Sequence, residues 1–389
     1  MNEKQFEQHA IGAAVDLGST TVAVCCMDLE TAEELVSFSF SNPQTVYGAD
    51  VITRIRHCVE DEHKLTVMGQ MIRDTLWEQL KAHLGIQCGN VARIVYSGNT
   101  TMLHILRGMS VNGLAAAPFT PVSLEYAEGT EEKPHSESCT VSESGCMLPR
   151  TESGCYTAIY PPGFSAFAGA DILTGAVFLG MGRSAAYELL VDLGTNGELL
   201  LVNQDYGYAA STACGPVFDH AVTGAKYGSE SIRAIAGCVK RGLIDDTGML
   251  QAPFFEKGIT IDKGFVIRQQ HIRNFQLAKG AIYAGIICLM TKAGITFEDI
   301  SHLYVSGGLG FYMNIRDAFT VKMLPEELAG RITVSGNSSL EGAKQLLLAE
   351  ENQQTTIRME YENIRKRTMS FELADFDGFQ QIYMESLNF

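Results

Sequence analysis

No apolar run in this sequence approaches the roughly 20 residues that a membrane-spanning helix needs. Its start, Met1 to Ala10, is polar and lacks the basic-then-apolar order of a secretory signal. Positive charge is scarce: 29 Lys and Arg stand against 45 Asp and Glu, a net charge of −16. Such a surface excludes nucleic acid and anionic membrane as main partners, so any anionic ligand must be held locally by backbone amides and a metal ion. There is no Gly-x4-Gly-Lys-Ser string, which excludes a P-loop, and Gly-Gly-x-Gly at 307–310 lacks the spacing of a dinucleotide fingerprint.

With no signal or anchor, a cytoplasmic protein is expected, and the ten cysteines are expected to be free thiols. Cys25 and Cys26 lie in an apolar strand pattern and Cys288 on an apolar helix, so packing accounts for them. Cys139, Cys146 and Cys155 fall in a polar stretch, at spacings that match neither a zinc pair nor a plant-type iron–sulfur run. At 389 residues, 46% hydrophobic and 19% charged, the chain has the composition of an ordinary globular enzyme of two domains.

What the sequence does have is a degenerate duplication. Ala13 to Val24 and Leu189 to Leu200 each read as an apolar strand ending in Asp, then Leu-Gly and a hydroxyl residue, then a second apolar strand. A second pair follows. A helix from Thr66 to Leu84, a turn at Gly85, and a strand from Arg93 to Ser97 end at Gly98. A helix from Phe275 to Ala293, a turn at Gly294, and a strand from His302 to Ser306 end at Gly307. Gly85 and Gly294 are 209 residues apart, as are Gly98 and Gly307, whereas Asp16 and Asp192 are 176 apart. The second half therefore carries 33 extra residues between its turn and its helix, within the Gly-rich stretch 212–265.

The first helix shows a core-facing stripe at Met68, Ile72, Leu76, Leu80 and Leu84. The second is apolar from Ala278 to Met290 and should be more deeply buried, with Ala281, Ala284 and Gly285 admitting another helix. The polar stretch Glu125 to Gly154 reads as an exposed excursion. The predicted architecture is α/β, two ribonuclease H-like lobes facing a nucleotide cleft. The lobes run over 10–155 and 156–350, and an extension over 351–389 packs on them or on a dimer partner.

A carboxylate beside a phosphate repels it, so an Asp in such a turn makes sense as a ligand of hydrated Mg²⁺. Asp16 and Asp192 are assigned that role, through water. The amides and hydroxyls of Gly18, Ser19, Thr20 and Thr21 are expected to hold one end of the triphosphate of ATP. Gly194, Thr195, Asn196 and Gly197 are expected to hold the other, as anion nests. Glu198, the extra acid of the second turn, is expected to orient an attacking water. Gly307, Gly308 and Gly310 would let backbone lie against adenosine. Ser211, Thr212 and Gly215 follow the second hairpin and face either the γ-phosphate or a partner. Asp50 and Asp171 each open an apolar helical run and are read first as helix caps, and otherwise as candidate bases.

These residues carry a resemblance to the ATPase domain of the reductive activators of corrinoid proteins, a branch of the actin, sugar-kinase and heat-shock-chaperone superfamily. The matching segments are Asp16 to Ala23, Asn42-Pro43-Gln44, Gly48 to Ile52, Gly98 to Met102 with His104, Asp192 to Glu198, Gln276 to Lys279, Gly307-Gly308, and Phe371 to Phe389. The resemblance implies ATP hydrolysis coupled to returning a Co(II) corrinoid to Co(I), with a corrinoid protein of a methyltransferase system as client. It also implies a homodimer. The ferredoxin-like domain typical of the family is not expected ahead of Asp16, nor an iron–sulfur cluster in this chain, so a separate ferredoxin-like donor is expected. The motif at Ala213 to His220 departs from the family pattern. The alternatives are a small-molecule kinase of the same fold and a nucleotide-dependent binding or assembly switch.

Overall fold

A computed structural model describes residues 9–134, 154–194, 196–212, 228–262 and 265–389. The chain forms two compact units, Met1–Ala166 with Leu340–Met359, and Phe167–Ser339 with Glu360–Phe389. Among the described residues no helix is long and apolar enough to cross a membrane.

The first unit is built on a six-stranded sheet. Its strands are β1 (Ile11–Leu17), β2 (Thr21–Asp28), β3 (Glu34–Ser41), β4 (Val91–Gly98), β5 (Ala127–Glu132) and β6 (Cys155–Tyr160), in the order β3-β2-β1-β4-β6-β5. The first three strands are an antiparallel meander, and β4 and β6 then run parallel to β1. Helices α1 (Val51–Glu60), α2 (His63–Leu84) and α3 (Thr100–Leu106) belong to this unit. All five members of the predicted α2 stripe are buried, and Gly85 ends the helix at φ 58°. Cys25 and Cys26 are fully buried, and that burial pushes their thiols up to about 11 and about 12.

Part of the stretch read as an excursion is structured, since β5 pairs antiparallel with β6. The reason is a side chain that the polar composition hid: Glu131 accepts from the Tyr156 hydroxyl at 2.6 Å and also from Tyr160. The late segment Leu340–Met359 folds with this unit. Arg93 donates to the Leu347 carbonyl at 3.0 Å, and Arg358 pairs with Glu128 while lying over the Tyr126 ring.

The second unit repeats the plan. Its six-stranded sheet runs β13-β12-β7-β8-β9-β14. The strands are β7 (Tyr187–Leu193), β8 (Gly197–Val202), β9 (Gly207–Thr212), β12 (Ile300–Ser306), β13 (Ile332–Gly336) and β14 (Thr368–Ser370), with a separate hairpin of β10 (Ile259–Asp262) and β11 (Phe265–Ile267). Helix α4 (Ala170–Phe178) precedes β7. Within the predicted insertion lies α5 (Gly228–Lys240), whose Ile232, Ile235, Ala236 and Cys238 are buried, so this Gly-rich stretch is more regular than its composition.

Helix α6 (Gln269–Ala293) is buried over most of its circumference, including Cys288. At Gly285 the nearest approach comes from the sheet: a Cβ there would lie 2.4 Å from Leu199 Cδ1, with the Thr212 methyl and Leu373 Cδ1 of the short 3-10 helix Leu373–Asp375 each at 3.3 Å. Gly280 is where a helix end arrives, with Leu387 Cδ2 2.8 Å from its Cβ position. The last residues are integral to this unit, since β14 adds a parallel strand beside β9 and helix Phe379–Glu385 packs on α6.

The duplication holds at the level of single contacts. In the first unit a Cβ on Gly98 would stand 2.8 Å from the Leu17 carbonyl oxygen, and in the second a Cβ on Gly307 would stand 2.6 Å from that of Leu193. Each strand-end glycine lets its backbone press against the residue that follows the hairpin Asp.

Candidate functional site

In register, β4, β1, β2 and β3 align Ser97, Asp16, Ala23 and Ser39 in one row across the first sheet. In the second sheet β12, β7, β8 and β9 align Ser306, Asp192, Glu198 and Ser211. Residues that pair directly across strands share a face, with Cβ atoms about 4.5–5.5 Å apart. Three of the four positions thus carry the same kind of residue in both units: Ser, Asp and Ser. The fourth is Ala23 in one and Glu198 in the other. Asp192 and Glu198 are both buried, at 9% and 6% exposure, and two neighbouring buried carboxylates favour a bound cation or a shared proton. This donor set of hard oxygens fits Mg²⁺.

The turn after β1 is held from behind. Asn42 Nδ2 donates to the Gly18 carbonyl at 2.8 Å, its backbone amide donates to the Thr20 carbonyl at 2.8 Å, and Arg54 Nη2 donates to the Ser19 carbonyl. Ser19 is buried, while Gly18 and Thr20 are half-buried and Thr21 is exposed. Arg54 is fully buried on α1, where its Nε also donates to the Gly48 carbonyl at 3.0 Å. Its Nη1 lies 3.3 Å from Gln44 Oε1 and 3.1 Å from Met102 Sδ. Burial holds the guanidinium down to about 10, against the opposing influence of Asp50, so it stays charged at neutral pH. The segments 42–44, 48–54 and 98–102 therefore converge on one purpose, the shape of the 18–21 turn.

In the second turn the Gly194 amide bonds to the Asn196 carbonyl at 3.1 Å. Gly194 is exposed, Asn196 half-buried and Gly197 buried as the first residue of β8. Gly307 has φ +86° and opens helix α7 (Gly307–Tyr312), so the glycines extend a helix start, not the strand. A side chain at Gly307 would meet Asp192 Oδ1 at 2.5 Å, whereas a Cβ at Gly308 meets nothing within 4 Å. Gly310 has its Cβ position 3.0 Å from Val305 Cγ1. The fold itself thus explains Gly307, and Gly308 is the glycine with open space in front of it. Thr212 is buried against α6 through its methyl group. Thr195, Gly215, Cys214 and the segment 213–220, together with Cys139 and Cys146, lie outside the described residues.

Asp50 is a helix cap: it accepts from the Thr53 amide and hydroxyl, both at 2.9 Å, and these bonds hold its carboxyl below the usual range although burial opposes them. Asp171 sits one residue inside α4, where Gly169 is the cap, so its charge supports the helix dipole without capping the helix. His104 is buried and neutral in its bonding pattern. Its Nδ1 faces the Thr100 carbonyl at 2.7 Å, while Nε2 accepts from the amides of Val122 and Ser123.

Sequence reasoning missed Arg54. The available signal was a charge on the apolar stripe of α1, where Val51, Arg54, Ile55 and Cys58 are the buried positions.

Two ribonuclease H-like units, each presenting an Asp at the end of its first strand beside a Gly turn, define an actin, sugar-kinase and heat-shock-chaperone class protein, abbreviated ASKHA. Family models agree. The RACo middle region matches residues 11–184, and the C-terminal domain of RACo, the ASKHA domain, matches residues 186–248 and 226–389. The chain belongs to the RACo family. RamQ, a corrinoid activation enzyme of Eubacterium limosum, is 29% identical over 446 residues, covering 100% of this chain and 71% of RamQ. The [Co(II) methylated amine-specific corrinoid protein] reductase of Methanosarcina barkeri is 23% identical, covering 97% of this chain and 77% of the reductase. Among solved structures, a reductive activator for corrinoid, iron–sulfur protein matches with a TM-score of 0.81 at 25% identity, covering 98% of this chain. This chain spans 66% of that activator.

Proposed function

We propose that this chain hydrolyses ATP to drive the one-electron reduction of a corrinoid protein from Co(II) to Co(I). The observation that carries this reading is the acidic row of the second sheet, Asp192 facing Glu198, in a chain that RACo models match from residue 11 to residue 389. Asp16 and Asp192 hold hydrated Mg²⁺, which supplies charge neutralisation on the phosphates. The turns at Gly18–Thr21 and Gly194–Gly197 hold the triphosphate, and Gly307, Gly308 and Gly310 with Ser211, Thr212 and Gly215 serve the adenosine and γ-phosphate ends.

Glu198 orients a water whose oxygen bonds to the γ-phosphorus as the bond to the β–γ bridging oxygen breaks. ADP and phosphate leave, and the water's proton passes to the carboxylate and then to solvent. The electron comes from the reduced cluster of a separate ferredoxin-like protein, which is oxidised as cobalt is reduced. Each 59 mV of uphill potential costs about 1.4 kcal/mol, so a gap of one to two hundred millivolts needs only about 2–5 kcal/mol. A nucleotide-dependent preference for one state of the protein complex is enough to supply that. A homodimeric form in the cytoplasm belongs to the same reading. The kinase alternative is weakened by Asp50, whose carboxylate is engaged by Thr53.

The test is Mg-dependent ATP turnover by the wild type and Asp192→Ala, with and without a Co(II) corrinoid protein and a reduced iron–sulfur donor. Turnover stimulated by the corrinoid protein, Co(I) in the visible spectrum, and loss of both in the variant are expected. ATP binding with no effect of the corrinoid protein on turnover or on cobalt would overturn the activator reading.

A further inference from the structure

Three consecutive carbonyls of the first turn, those of Gly18, Ser19 and Thr20, are all taken by donors of two residues: Asn42 Nδ2, Arg54 Nη2 and the Asn42 amide. A trans peptide is planar, with its C=O and the next N–H pointing in opposite directions. Fixing these carbonyls therefore aims the amides of Ser19, Thr20 and Thr21 away from Asn42 and Arg54. Successive amides turned to one side make a concavity for an anion.

The second element is charge. Arg54 is 0% exposed, and its hydrogen-bond partners are the Ser19 and Gly48 carbonyls, the Gln44 side-chain amide and the Met102 sulfur, all neutral. Among the described residues no carboxylate lies within ion-pair distance of it, and Asp50 acts on it only at longer range. A buried cation without a contacting counter-charge is costly unless an anion is brought near it. Here the carbonyl that it grips belongs to the turn whose amides face the other way.

We propose that Arg54, with Asn42, is the positioning residue of the first phosphate turn, fixing the amides of Ser19, Thr20 and Thr21 toward the phosphate chain and supplying buried positive charge behind them. This rests on the nucleotide reading above and adds a residue that touches no ligand itself. A guanidinium is required because its planar fork spans the Ser19 and Gly48 carbonyls at once, which an ammonium does not.

The experiment is calorimetric titration of Mg-ATP and of adenosine into the wild type, Arg54→Met and Arg54→Lys, with circular dichroism to establish folding. A residue that only supports the fold would weaken both ligands together. The proposal expects Arg54→Met to lose at least tenfold in ATP affinity with adenosine affinity changed less than threefold. Arg54→Lys should fall between Arg54→Met and wild type. Parallel losses for the two ligands, or no loss for ATP, would overturn it. If Arg54→Met does not fold, Arg54→Lys decides: a wild-type ratio of ATP to adenosine affinity overturns the assignment. Failure of the wild type to bind ATP overturns the nucleotide reading itself, an outcome distinct from an unaltered ratio in the variants.

Discussion

Glu198 lies directly across the β7–β8 ladder from Asp192, whereas the residue across from Asp16 in the first unit is Ala23. The two hairpins arise from a duplicated sequence, and their strand ends agree in Ser97 and Ser306, Asp16 and Asp192, and Ser39 and Ser211. The acid is the point where the copies part. The registers explain how: Leu17 pairs with Val22 but Leu193 with Gly197, so the second turn is one residue shorter and brings Glu198 opposite the Asp. Of the two rows, that of the second unit is the one that pairs two carboxylates, and the proposed hydrolytic water is placed there for that reason.

Replacing Glu198 with Gln keeps its shape and removes the carboxylate proposed as the base. ATP turnover of Glu198→Gln is expected to fall about 10²- to 10⁴-fold, the range for loss of general base catalysis. ATP affinity should remain near that of the wild type. Because the change also removes one of two adjacent buried carboxylates, the variant should melt no lower than the wild type without Mg²⁺. Unchanged turnover in a folded Glu198→Gln would end the assignment.

Gly307 and Gly308 make a controlled pair. Gly307 sits at φ +86° with Asp192 Oδ1 and the Leu193 carbonyl where a side chain would go, and Gly308 has open space. Gly307→Ala is expected to lose at least about 2 kcal/mol, from left-handed backbone strain plus the clash. Gly308→Ala should stay within about 0.5 kcal/mol in the absence of nucleotide. Urea unfolding of the two variants checks this, and equal losses would refute the packing account of Gly307.

His104 connects the fold to pH. Burial, with a lesser contribution from Arg107, holds its imidazole below the ordinary range even though the Thr100 carbonyl pulls the other way. As pH falls through the unfolded value near 6.5, the unfolded chain takes up this proton first, so the stability gained from neutral His104 is lost on acidification. The wild type should therefore lose more stability than His104→Gln between pH 7 and pH 5. Parallel curves for the two proteins would show that His104 contributes nothing to the dependence.

Most of the architecture was legible because both of its signals are local. The Asp-Leu-Gly hairpins and the helix–Gly–strand repeats are short and periodic, and β1–β2, β7–β8, α2 and α6 fall where the spacing placed them. What was not legible depends on long-range partners. The strand Ala127–Glu132 reads as polar loop, and its ordering depends on Tyr156 and Tyr160 from β6. That Leu199 of the sheet comes nearest to Gly285 is not legible either, because sequence does not say which layer faces a small residue. In the site, the Asp and Gly positions announce themselves by motif. Arg54 does not, since the turn carbonyl that it holds, that of Ser19, is 35 residues away. The direct pairing of Glu198 with Asp192 needed the register, which a one-residue difference in turn length decides.

Lys279 offers a test of how residues 386–389 are fastened to α6. Its ammonium is fully buried, donating to the Ser386 carbonyl at 2.7 Å and to that of Asn388, with Nζ 5.2 Å from the centre of the Phe389 ring. Burial, with a lesser contribution from Lys322, pushes it down from 10.5 to about 7. With a folded value below the unfolded one, the unfolded chain holds more protons between about pH 7 and 10.5. Stability must therefore rise with pH across that window, as the cost of burying the charge is relieved. The two carbonyls recover part of that cost by bonding the charged form, so the rise should be smaller than burial alone dictates. Urea midpoints of the wild type should climb relative to those of Lys279→Met as pH goes from 7 to 9.5. In the same interval amide exchange at Leu387 to Phe389 should not quicken beyond its ordinary base-catalysed increase. Midpoints that fall relative to the variant would mean that the ammonium, held by Ser386 and Asn388, is worth more to the fold than its burial costs.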